Sequence, residues 1–64
     1  MSRLEREILN FMGYDARFQL SRFKDFISDR FDAELDEVED SLNNLEASGD
    51  IFRPREDLVK RLEA

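Results

Sequence analysis

Sixty-four residues carry sixteen acidic and ten basic side chains, a net charge of −6, 41 % hydrophobic residues, and neither Cys nor His. That length is close to the lower limit for a core without disulfides or a metal, and the missing residue types exclude disulfide staples, thiolate sites and Ser-His or Cys-His nucleophiles. No apolar run exceeds four residues, so no membrane span or secretory signal is expected, and the default setting is cytoplasmic, with association to a nucleoid compatible.

The chain reads as one domain over 1–64, with no linker, repeat or low-complexity tract. A first helix opens at Ser2, where Glu5 three residues later completes a capping-box pattern. Leu4, Ile8, Leu9, Phe11 and Met12 recur at helical spacing and predict a buried stripe, and Gly13 is a stop signal. A connection follows, in which Arg17-Phe18-Gln19 has the makings of a short edge strand. Ser21 is the expected cap of a second helix reaching about Phe31, with Leu20, Phe23, Ile27 and Phe31 along one side and Phe26 beside them. After the turn Asp32-Ala33-Glu34, Leu35 is expected to tuck inward. Asp36, with Glu39 three residues on, caps a third helix whose buried stripe is Val38, Leu42 and Leu45. Glu37, Glu39, Asp40, Ser41, Asn43, Asn44 and Glu46 are expected to face water, and Gly49 ends the helix.

The last segment supports two readings. Ile51-Phe52-Arg53 and Leu58-Val59-Lys60 are β-prone and would pair as a hairpin across residues 54–57, although the turn lacks the Gly or Asn of a tight hairpin. Pro54 at a first helical position, Glu56 and Asp57 in a first turn, and Lys60 and Arg61 beyond them also suit a fourth helix. The hairpin is favoured, because Ile51 directly follows the Gly49 stop.

The charge is unevenly distributed. Residues 32–50 contain eight acids (Asp32, Glu34, Asp36, Glu37, Glu39, Asp40, Glu46, Asp50) and no Lys or Arg, while the residues before and after each carry a net +1. Arg outnumbers Lys eight to two, a balance that high-salt adaptation would also produce. Adaptation of that kind spreads carboxylates over a whole surface, however, and here they are concentrated in one segment.

The run Leu35-Asp36-x-Val38-x-x-x-Leu42-x-x-Leu45-x-x-x-Gly49-x-Ile51-Phe52 resembles the second half of many winged-helix domains, in which three helices are followed by a short β-hairpin wing. Gly49-Asp50-Ile51-Phe52-Arg53-Pro54 is similar to the approach to the wing in the C-terminal winged helices of archaeal MCM replicative helicases and of the replication protein A middle subunit. The likeness covers roughly residues 20–60, and the glycine expected at the helicase wing tip is absent. It implies a mainly α (α+β) fold, a winged helix-turn-helix built as a three-helix bundle followed by a β-hairpin. It also implies a non-catalytic appendage that docks or regulates partners in DNA replication or maintenance.

Catalysis is not expected. Carboxylate pairs need a cleft that perturbs their pKa values, for which so short a chain has little mass. Gly13 and Gly49 are isolated, so no phosphate loop is present. Asp32, Glu34 and Asp36 alternate like the opening of a calcium loop, but that loop needs Gly and Glu where Glu37 and Asn43 stand. Neither a metal nor another cofactor is expected, and no small-molecule substrate.

In a helix-turn-helix the N-terminal part of the second helix approaches bases and phosphates. Asp36, Glu37, Glu39 and Asp40 occupy that end here, and each carboxylate about 4 Å from a phosphate costs about 1 kcal/mol even at water-like dielectric. The expectation is therefore a protein-interaction module using Glu37, Glu39, Asp40, Asn43, Asn44 and Glu46, with Phe52 as an apolar anchor. Its partner would be a protein with a basic surface, such as a replication or DNA-processing component. The alternative is a small DNA-binding transcriptional regulator using Arg17, Arg22, Lys24, Arg53, Arg55, Lys60 and Arg61. Among the aromatics, Phe11, Phe23, Phe31 and either Phe26 or Ile27 are assigned to the core. Tyr14, Phe18 and Phe52 are left as candidates for an exposed contact patch.

Overall fold

The structure is a computed structural model that describes residues 2–13 and 17–62; Tyr14 lies outside them. The elements run α1 (Arg3–Phe11), β1 (Arg17–Gln19), α2 (Leu20–Arg30), α3 (Leu35–Ala47), β2 (Ile51–Phe52) and β3 (Leu58–Arg61). The three strands form one antiparallel sheet in the order β1-β3-β2. The class is thus mixed α+β, and residues 58–61 are a strand, as the hairpin reading expects.

Helix α1 begins as its sequence predicts. The Ser2 hydroxyl accepts from the Glu5 N–H, and the Glu5 carboxylate accepts from the Ser2 N–H, so two otherwise unpaired donors are satisfied together. The other two helix starts differ from expectation. Ser21 does not cap α2: the N-cap is Gln19, without a side-chain cap bond, and the Leu20 N–H instead donates to the Asp57 carbonyl at 2.8 Å. The turn before β3 thus supplies an acceptor at the start of α2. Asp36 does not cap α3 either. The helix starts two residues earlier, with Glu34 at the N-cap, which places Asp36 in the first turn, where it complements the helix dipole.

The ends of α2 and α3 share one device. Asp32 has φ 52°, and the Ala33 N–H bonds back to the Ser28 carbonyl at 3.0 Å. Gly49 has φ 86°; its N–H donates to Glu46 and that of Asp50 to Leu45, at 3.1 and 3.0 Å. Both are left-handed helix stops that satisfy the last carbonyls. The second turns the chain directly into β2.

The core draws on every helix and the sheet: Ile8, Leu9 and Met12; Leu20, Phe23 and Ile27; Val38, Leu42 and Leu45; Ile51 and Val59. Each fully buried large side chain is worth about 1.5–3 kcal/mol. Four expectations need correction. Phe11, assigned to the core, is 40 % exposed, and Leu35, expected to tuck inward, is 49 % exposed. Ser41, expected in water, is buried, because 38, 41, 42 and 45 share the inward face of α3 at helical spacing. Phe31 is half-buried at the core margin, and of the pair Phe26 and Ile27 it is Ile27 that enters the core.

Paired residues of an antiparallel ladder project to the same side. Phe18 opposite Val59 and Ile51 opposite Arg61 therefore mark the inner face. Arg17 and Phe52, both opposite Lys60, and Gln19 opposite Leu58 mark the outer face.

A Cβ at Gly49 would meet nothing within 4 Å, so an alanine there is opposed by the left-handed backbone alone. Gly49→Ala should destabilise the fold by about 1–2 kcal/mol, read by urea denaturation as a lower midpoint at unchanged slope.

Candidate functional site

The outer face of α3 presents Glu37, Glu39, Asp40, Asn43, Asn44 and Glu46, all exposed. Only part of this face is met by the chain's own polar groups. Arg53, just beyond β2, donates from Nη2 to Asn43 Oδ1 at 2.9 Å, and its Nε stands 3.8 Å from Glu46 Oε1. At that separation the Glu46 contact is an ion pair without a hydrogen bond, consistent with Arg53 Nε having no hydrogen-bond partner. A pair this open to solvent contributes little, about 0–1 kcal/mol. Asn44 Nδ2 reaches Glu5 Oε2 at 3.3 Å. Among the described residues no ion pair reaches Glu37, Glu39 or Asp40. Near Glu37 an open groove of about 460 Å³ runs between Arg3, Leu4 and Glu7 of α1 and Phe31, Asp32 and Ala33 of the α2–α3 turn.

The seven basic candidates separate into different roles. Arg61 lies on the inner side of the sheet, and its Nη1 donates to the carbonyls of Leu9 at 2.9 Å and Met12 at 3.2 Å. Helix α1 has no basic residue in its last turn, so this strand residue supplies the cation and the donors that the helix end needs. Arg61 is thus committed to the fold, and Arg53 is engaged with α3. Lys24 lines a hollow of about 350 Å³ together with Asp25, Asp36 and Glu39, which offsets its charge locally. Arg22 is exposed on α2.

Arg17, Arg55 and Lys60 are brought together. With Phe52, Pro54 and Leu58 they line a groove of about 300 Å³ on the outer side of the sheet. The register explains this convergence, since Arg17, Lys60 and Phe52 form one row across the three strands. Phe52, expected beside the acids, belongs instead to this basic groove.

A further surface went unrecognised in the sequence. Phe11, Phe18, Phe23 and Phe26 form a tilted aromatic cluster, with centroids 4.8 Å apart for Phe11–Phe26 and for Phe18–Phe23. Phe23 is the buried end, while Phe11 and Phe26, at 40 % and 45 % exposure, form the open end. The signal was present in the helical phase of Phe26, one position off the Phe23–Ile27 stripe.

Among the described residues no group of three or more acidic side chains is placed to hold a metal ion, and no helix is long and apolar enough to cross a membrane. Comparison with protein-family models, with curated proteins and with solved structures finds no match.

Replacing Arg61 by Ala removes two charge-assisted bonds from the end of α1. The expected loss is about 1–3 kcal/mol of stability, seen as a lower thermal midpoint. Arg22→Ala, at an exposed position, should stay within about 0.5 kcal/mol of the parent.

Proposed function

We propose that this chain is a non-catalytic winged-helix module that binds a protein with a basic surface through the outer face of α3, in the setting of DNA replication or maintenance. The observation that carries this reading is the state of Glu37, Glu39 and Asp40: exposed on adjacent turns of one helix and in no ion pair among the described residues, with Lys24 beside Glu39 in one hollow as the nearest offset. The element order α1-β1-α2-α3-β2-β3, with a hairpin following the third helix, supports the winged-helix resemblance. On that reading α3 is the helix that such domains bring to DNA, and its carboxylates suit a cationic protein surface in place of phosphate. Charge of this kind mainly accelerates encounter and selects sign, while packing sets the lifetime of the complex.

The alternative, a DNA-binding regulator, is weakened by the placement of its cations. Arg61 and Arg53 are engaged within the fold, and Lys24 shares its hollow with three acids. Arg17, Arg55 and Lys60 line one groove, which is short for a duplex backbone.

The test is a charge reversal, Glu39→Lys plus Asp40→Lys, on residues that the fold does not use. The double variant should keep the parent's circular dichroism and thermal midpoint but lose the partners that the parent captures in parallel pull-downs. Titration of the parent with a short DNA duplex should give no saturable binding between about 50 and 200 mM salt. Saturable binding that collapses on Arg17→Glu plus Arg55→Glu would favour the regulator.

A further inference from the structure

Among the described residues Leu35 is the most exposed large hydrophobic one, at 49 %. It stands at the first turn of α3 between the carboxylates of Glu34 and Asp36, which are also exposed. A leucine at this place adds nothing to the core, and its two neighbours make the tip an acidic-apolar-acidic wedge. At the other end of α3, thirteen residues and about 18 Å of helix rise away, the chain turns through Gly49 into the sheet. The outer side of that sheet carries a groove of the complementary kind, in which Arg17, Arg55 and Lys60 accompany the apolar Phe52, Pro54 and Leu58.

We infer that the Glu34-Leu35-Asp36 tip of one copy docks into the Arg17–Arg55–Phe52 groove of a second copy. The leucine would cover Phe52, Pro54 and Leu58, and the flanking carboxylates would meet the arginines. Opposite signs, and apolar side chains on both sides, favour this occupant. A phosphate backbone would use the cations but leave the apolar lining uncovered, and it would run past Glu56 and Asp57 in the same loop. About 18 Å of helix holds the tip away from the end of α3 that leads into Phe52 of the same molecule. The contact is heterologous: each docked pair retains one open groove and one open tip, and association proceeds head to tail instead of stopping at a symmetric dimer. A contact of this size belongs to the weak, transient class, and its ionic part weakens with salt. The tip adjoins the outer α3 face, since Leu35 and Asp36 share a hollow with Glu39, but the groove lies apart from that face and the two readings are tested by different variants, so either can fail without the other.

Sedimentation velocity on the full chain tests the inference. The parent should show a weight-average mass that rises with concentration up to about 1 mM and falls with added salt. Two variants each remove one half of the contact: Glu34→Lys plus Leu35→Ser at the tip, and Arg17→Glu plus Arg55→Glu in the groove. Each alone should associate at least about tenfold more weakly than the parent, with unchanged circular dichroism. Their equimolar mixture should recover a 1:1 dimer and nothing larger, because the tip variant retains an intact groove and the groove variant an intact tip. A parent that stays monomeric at about 1 mM overturns the inference, as does association that persists in both variants or a mixture that forms no dimer. Titration with a short oligonucleotide supplies the remaining arm. Binding that depends on Arg17 and Arg55, in a parent that does not self-associate, would assign the groove to phosphate and overturn the inference too.

Discussion

The fold depends on β3. It lies between β1 and β2, so neither of the other strands has a sheet partner without it. Its Val59 is fully buried, and its Arg61 closes the end of α1 through contacts spanning 52 and 49 positions of sequence. The loop before it holds the start of α2 through Asp57, whose carbonyl accepts from Leu20 and whose carboxylate accepts from Gln19 Nε2. One four-residue strand thus joins the first helix, the second helix and the hairpin. With eleven core side chains among the described residues, removing that junction would remove most of what makes burial cooperative.

This dependence explains which features could be read from the sequence. Ile8, Leu9 and Met12, Phe23 and Ile27, and Val38, Leu42 and Leu45 were legible because helical periodicity reports burial directly. Ser2, Glu5 and Gly49 were legible because their roles are local. Ser21 and Asp36 failed as caps because the loop before β3 and a helix start two residues earlier replaced them, and neither is visible in a local motif. Ser41 was misplaced by its hydroxyl, although its phase was that of the buried face. Phe11 and Leu35 were misplaced by their hydrophobicity, since a small domain has too little interior for all its large apolar groups. Arg61 appeared to be one more surface cation because its partners lie some fifty residues away.

The charged surface shows the same division. The acidic block was visible as composition, and the structure turns Glu37, Glu39 and Asp40 outward along α3. The basic residues looked like one scattered set. The fold separates them into a structural arginine at 61, an arginine at 53 engaged with α3, a lysine among acids at 24, and a convergent group at 17, 55 and 60. Strand register creates that last group, and register depends on pairings between segments far apart in sequence.

The central placement of β3 also bears on how the molecule is made. During synthesis the three helices leave the ribosome before the strand that organises them, so the pocket for Val59 and the carbonyls at the end of α1 wait unfilled until residue 61 has emerged. Over that interval the nascent helices can adhere only loosely, and a chaperone or protease would meet apolar surface that the finished protein conceals.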